Sequence, residues 1–201
     1  MPSDYNRRHV MAGVMAAGAA AAFGLPAMAL TDAKARILVD RLVGDINAVI
    51  ASGKSQQAMI REFERIFRTY ADVDIIARST LGPAVRRASA TQMNAFIEAF
   101  RGYIARKYGK RFREFIGGRI EVNGVRRVKS WHEVISTAHL RGEAPFEVRF
   151  LVSDRSGQDL FFDMVIEGVS LRLSERTEIG AMLDANRGDI DGLIQDVRRA
   201  G

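Results

Sequence analysis

Apolar residues Leu38, Leu42, Ile46 and Val49 recur at intervals of four, four and three, which places them on one face of a helix between Thr31 and Ala51. Thr31 or Asp32 suits its N-cap, since a short oxygen-bearing side chain accepts from the N–H groups that a first turn leaves free. Ser55 opens a second amphipathic segment, with Met59, Phe63, Phe67 and Tyr70 in register and Arg61, Glu62, Glu64, Arg65 and Arg68 elsewhere. Asp72 to Leu81 reads as a short third helix stopped at Gly82-Pro83, because proline disfavours helical geometry in the residue before it. The most ordered pattern starts at Thr91, a candidate N-cap, and runs through Phe96, Phe100, Tyr103, Ile104, Tyr108, Phe112 and Phe115 to Gly117-Gly118. It predicts one long helix with an aromatic stripe, its other faces carrying Arg101, Arg106, Lys107, Lys110, Arg111 and Arg113. Such a stripe is either core or the wall of a cavity, since large rings are hard to pack at full density with few small partners opposite.

After Gly118 the period falls from about 3.6 to two, the mark of strands. Arg119 to Val128 reads as a ribbon turning at Asn123-Gly124. Trp131 to Leu140 alternates through Val134, Ser136, Ala138 and Leu140, and the next strand places Phe146, Val148, Phe150 and Val152 on one face. Asp154 to Gln158 is a turn, and Leu160, Phe162, Met164 and Ile166 form the apolar face of the last strand, with Asp163 and Glu167 on the other. Helix returns from Ser174, with Ile179, Met182 and Leu183, then Ile190, Leu193, Ile194 and Val197, in register. The fold class this implies is α+β, with helices packed on one face of a small curved antiparallel sheet and additional N- and C-terminal helices. A sheet with one apolar face needs a helical cover, and the long aromatic helix is the expected one.

Ahead of this domain, Arg7 and Arg8 precede a run from Val10 to Leu25 made only of apolar residues, Ala and Gly. Pro26-Ala27-Met28-Ala29 follows with a helix breaker and a small-x-small pattern, so residues 1–29 read as a signal peptide cut between Ala29 and Leu30. The arginine pair before the apolar run resembles a twin-arginine signal. Residues 30–201 would form a single domain in the periplasm. The chain has no Cys, which removes disulfides, thiolate catalysis and Cys-based zinc sites. Its formal charge of +6 favours anionic surfaces, and in an exported protein those are lipid headgroups rather than nucleic acid.

Fragments that look catalytic fail on inspection. Gly53-Lys54-Ser55 resembles the end of a phosphate-binding loop, but Ala48 stands where its first glycine belongs and the preceding residues read as helix. His132-Glu133 begins a zinc-protease pattern whose second histidine would fall on Ser136, in a strand. Asp72 with Asp74, and Asp189 with Asp191, are explained by helix N-termini, which favour acids. No catalytic residue, metal or cofactor is expected.

The segment from Phe162 through Asp163, Met164, Val165, Ile166, Glu167, Gly168, Val169 and Ser170 to Leu171, with Arg176 and Ile179 beyond, resembles the signature of the MlaC family, also called the toluene-tolerance auxiliary family. The run from Val73-Asp74 to Leu81-Gly82 is similar to another family segment, Phe96, Phe100 and Tyr108 resemble its F-x3-F-x7-Y helix, and Asp189 to Ile194 also fits. Asp159 departs from the pattern, standing where members often carry tryptophan. The resemblance implies a periplasmic shuttle that carries phospholipid between an outer-membrane lipoprotein complex and an inner-membrane ABC transporter complex, on a scaffold related to the nuclear-transport-factor fold. A similar subgroup is associated with hopanoid lipids.

The expected lipid-binding residues are Phe96, Phe100, Tyr103, Ile104 and Phe112 from the long helix, and Val148, Phe150, Phe162, Met164 and Ile166 from the sheet, around a pocket near or above the upper end of the usual range of about 300–1,000 Å³. Asp163, Glu167, Gly168, Ser170 and Arg176 are read as structural. Gly168 turns the chain out of the last strand, Ser170 caps the following helix, and Arg176 pairs with Glu167 or a nearby carboxylate. Two other classes stand beside the carrier. One is an isomerase or hydrolase on the same scaffold using His139, Asp163 or Glu167, and the other is a structural adaptor with a filled core.

Overall fold

The structure is a computed structural model that describes residues 29–201, apart from the side chains of Phe112 and Arg113. The expected leader lies outside the described residues except for Ala29. Six α-helices and a five-stranded sheet make up the described chain.

Helix α1, Asp32–Ala51, is capped by Thr31, whose side chain accepts from the Lys34 amide. It buries Ala35, Val39 and Val43 beside Leu42, Ile46 and Val49, a broader face than the expected stripe, while Leu38 is only half-buried. Ser55 caps α2, Gln56–Tyr70, and Asp72 caps α3, Val73–Leu81, which stops at Gly82 with φ 60° and runs into a 3₁₀ turn over Gly82–Arg86. Helix α4, Ala90–Gly109, starts two residues earlier than expected. Ser89, not Thr91, is its N-cap, in a reciprocal capping box with Gln92. It also ends earlier, at Gly109, and Lys110–Phe115 continue as a 3₁₀ helix. Helices α5, Leu171–Ala185, and α6, Ile190–Arg199, close the chain.

The sheet is a meander in the order β1-β2-β3-β4-β5, every pairing antiparallel. Strand β1, Arg119–Val128, does not turn at Asn123-Gly124 as expected. It pairs with β2, Trp131–His139, along its whole length, and Asn123 forms a bulge where the register shifts between Val122 and Gly124. An Asn-Gly pair suits a turn locally, but Val122 and Val125 on either side both pair with β2, so the reversal waits for Lys129-Ser130, where Lys129 takes φ 53°.

A second bulge corrects the face of β4, Leu160–Ile166. Val152 of β3, Phe146–Ser153, pairs with Phe161, while Leu151 pairs with Asp163, so Phe162 is the extra residue. Phe161, Asp163 and Val165 are the buried positions of β4, and Leu160, Phe162, Met164 and Ile166 are half-buried. The strict alternation read from the sequence slips by one residue at the bulge. Met164 and Ile166 still face with Phe150 and Val148, their register partners. Bulges of this kind bend the strands they interrupt and increase their twist, so this sheet is not flat.

The expected cover is also corrected. Helix α1 packs on β1, β2 and β3, and α5 with α3 packs on β4, whereas α4 sits farther out against α2, α6 and α3. The space left between the curved sheet and this helical layer positions the site.

Candidate functional site

A cavity of about 420 Å³ lies between sheet and helices. Its sheet wall is made by Ala138 of β2, Val148 and Phe150 of β3, and Phe161, Met164 and Ile166 of β4. Leu42 and Ile46 of α1, Phe63, Ile66 and Phe67 of α2, and Ile104 and Tyr108 of α4 form the helical wall. At one end Phe63 stacks on Phe67 with centroids 6.2 Å apart, Phe67 meets Phe161 at 6.3 Å, and Phe161 meets Phe150 edge-on at 5.9 Å. The exposed Arg111, Glu114, Glu143 and Glu167 border the cavity, so it reaches solvent through a charged rim.

The expected residues divide. Ile104, Val148, Phe150, Phe162, Met164 and Ile166 line the cavity. Phe96, Phe100 and Tyr103 do not: they are 0%, 0% and 1% exposed and form their own ring series at 5.9 and 6.1 Å on α4. Because α4 is backed by α2, α3 and α6 rather than by the sheet, its stripe fills core. The same packing explains why the cavity falls toward the lower end of the usual range rather than the upper. The side chain of Phe112 lies outside the described residues. Sequence reasoning missed Phe63, Phe67 and Phe161 as wall residues; the first two stood in a recognised helical stripe, but nothing local says what a stripe faces.

One flank of the cavity is polar and closely bonded. Glu175 of α5 is 2% exposed, and it accepts from the Tyr103 hydroxyl at 2.8 Å, from Lys107 Nζ at 2.8 Å and from the Tyr108 hydroxyl. Lys107 also pairs with Glu178 and lies 5.3 and 5.6 Å from the Tyr103 and Tyr108 ring centres. Burial, reinforced by the neighbouring acids, pushes both phenols well above their usual range. Burial alone would lower the Lys107 ammonium, but hydrogen bonds to Glu175 and Glu178 outweigh it and raise it. The sequence carried a signal for this cluster, since Glu175 stands four residues before Ile179 and eight before Leu183, on a face that should be apolar.

The signature residues build a junction. Ile166 and Val169 pair across a two-residue turn in which Glu167 has φ 48° and Gly168 φ 85°, both left-handed, as a tight hairpin between β4 and β5, Val169–Ser170, requires. Ser170 caps α5 by accepting from the Leu173 amide, and its hydroxyl donates to Asp163 Oδ2 at 2.6 Å. Asp163 Oδ1 accepts from the Met164 and Arg172 amides at 2.8 and 3.0 Å, which accounts for a carboxylate only 3% exposed where a polar-face position was expected. Arg176 is exposed and makes no ion pair among the described residues. Arg172, one turn earlier, approaches Asp163 at 3.5 Å and donates to Ser79 Oγ at 2.9 Å. The Arg176 guanidinium lies instead beside Gly82.

Helices and a bulged sheet enclosing an apolar, solvent-reached chamber define the class: an α+β protein with an internal binding cavity. A family model described as MlaC protein matches residues 38–199, and the chain belongs to the MlaC family. The phospholipid-binding protein of Ralstonia solanacearum, solved in complex with a phospholipid, superposes with a TM-score of 0.70 at 19% identity, over 82% of this chain and 95% of that one. At that identity the likeness is one of fold. No curated protein matches the chain. Among the described residues no helix is long and apolar enough to cross a membrane, and no cluster of His and acidic residues is arranged to hold a metal ion.

Proposed function

We propose that this protein is a periplasmic lipid carrier, which holds the acyl chains of a phospholipid, or the polycyclic part of a hopanoid-type lipid, while shuttling between an outer-membrane lipoprotein complex and an inner-membrane ABC transporter complex. The observation that carries the reading is the apolar cavity of about 420 Å³, reached from solvent past charged residues. That arrangement suits a molecule with an apolar body and a polar end. The phospholipid held by the Ralstonia solanacearum protein of like fold supports the cargo class. At about 0.8 kcal/mol per methylene, two acyl chains exposed to water would cost on the order of 25 kcal/mol, so a shielding cavity is what transit across an aqueous space demands.

Of His139, Asp163 and Glu167, the last two reach the cavity, but no hydrogen bond joins any two of the three among the described residues. His139 Nε2 lies 3.2 Å from Glu121, and this histidine is not part of the cavity wall. The oxygens of Asp163 are occupied at the β4–α5 junction, and Glu167 is in an exposed turn. An adaptor with a filled core fits the cavity poorly. Mass spectrometry of protein purified natively from its host should find bound lipid. Repeated absence of lipid, with no uptake from liposomes, would end the carrier reading.

A further inference from the structure

The first two described residues differ sharply in burial. Ala29 is exposed, whereas Leu30 is half-buried against the core and its backbone nitrogen lies 3.1 Å from Asp154 Oδ2. Thr31 then caps α1, and Asp32 Oδ1 meets His132 Nε2 at 3.1 Å on β2. Three consecutive residues are thus each fastened to the fold, and the residue before them reaches solvent. The small-x-small pattern Ala27-Met28-Ala29 ends at that same boundary.

With the Ala29–Leu30 bond as the processing site that the sequence pattern predicts, we infer that Asp154 is the receptor for the amino terminus that processing creates. Hydrolysis by a signal peptidase adds one water across this bond: oxygen joins the Ala29 carbonyl carbon to give a carboxylate, and nitrogen leaves as the Leu30 amine, protonated at neutral pH. The neutral N–H donor in the precursor becomes a full cation against an acid already in place, so a hydrogen bond is converted to an ion pair without the chain moving. Asp154 sits in the β3–β4 turn, where its own carbonyl accepts from the Gly157 amide at 2.9 Å, so the turn holds the acid from behind. The other titratable or charged groups on the elements around it are Asp32 and Lys34 of α1, His132 of β2, and Arg155 and Asp159 of the same turn. The inference does not depend on what the cavity binds.

The test uses protein isolated from the periplasmic fraction of its host. Intact mass and N-terminal sequencing should show a chain starting at Leu30. A start at any other residue, or a retained leader, overturns the processing site. The α-amino group of this protein, tagged by reductive ¹³C-methylation and followed by NMR, should titrate above that of a free amino terminus, about 7.7–8.0. In Asp154→Asn it should fall by roughly 0.2–0.7 units, the shift expected of an exposed pair, with the fold intact. An α-amino group that titrates identically in both proteins overturns the role of Asp154.

Discussion

Two groups of aromatic rings in this protein are built alike and do different things. Phe96, Phe100 and Tyr103 come from one face of α4 and are sealed in core away from the cavity. Phe63, Phe67, Phe150 and Phe161 come from α2, β3 and β4, and border open space. The sealed group is contiguous on one helix and is met by three other helices, so every ring finds a partner at contact distance. The open group spans a helix and a sheet interrupted by bulges, two surfaces of different shape. A cavity here is a mismatch between surfaces, not a deficiency of large side chains. The buried Glu175 joins the groups, accepting from Tyr103 of the one and from Tyr108, a wall residue, on the side of the other.

Cutting a ring on each side tests the contrast most strongly. Phe100→Ala leaves a void in close-packed core and should cost about 3–5 kcal/mol by urea denaturation. Phe161→Ala enlarges space that already exists, so its cost should fall clearly below that of Phe100→Ala while lipid retention changes more; equal losses of stability would erase the distinction. At the seam, Glu175→Ala leaves two buried phenol hydroxyls without their carboxylate, a loss of about 1–3 kcal/mol, softened because Lys107 still bonds to Tyr103. Tyr108→Phe should show only part of that loss. The β4–β5 turn belongs to neither group. A Cβ at Gly168 would meet nothing within 4 Å, so Gly168→Ala tests φ 85° alone, at about 1–2 kcal/mol in thermal melts, and a β-branched residue costs more. If Gly168→Val leaves the melting temperature untouched yet abolishes lipid transfer, the turn is a functional lip.

The smallest effect should come from pH. Burial would raise the Glu178 carboxyl, but hydrogen bonds from Lys107 and Tyr103 hold it below its usual range. With its folded pKa depressed, its contribution is present above the ordinary glutamate range and lost as pH falls through the lowered value. Glu178 is part-exposed, its side chain 43% accessible, so the contribution is under about 1 kcal/mol. Glu178→Gln should flatten the acid limb of a stability-against-pH curve measured between roughly pH 5 and pH 2, and an unchanged limb would show that the pair with Lys107 is inert.

Much of the fold was legible because the information is local. Ser55 and Asp72 announce their helices from the capping position, and the expected alternation holds from Val134 to Ala138 in β2 and from Phe146 to Val152 in β3. What stayed hidden depends on partners distant in sequence. Asn123-Gly124 reads as a turn until β2 is laid beside it, and the face of β4 is set by a bulge that β3 imposes at Phe162. The residues around the cavity were legible in part, those on β3 and Ile104 among them. Phe96, Phe100 and Tyr103 sit in core rather than on the cavity, a placement hidden from the sequence because periodicity reports burial without saying against what. The carboxylate pair expected of Arg176 is made by Arg172, because spacing alone does not show which turn of α5 faces Asp163.

The close crossing of α4 and α2 has a mechanical consequence. A Cβ at Gly109 would stand 2.9 Å from Ile60 Cα and 3.0 Å from Ile60 Cγ1, so the two backbones touch where other helix pairs hold side chains between them. The contact works as a zero-thickness shim. It fixes how near the wall residues of α2, Phe63 and Ile66, stand to those of α4, Ile104 and Tyr108, and any larger residue must wedge the pair apart. The width of this side of the chamber is therefore set at one position that itself lines nothing, and Gly109→Ala is the one-methyl change that would widen it.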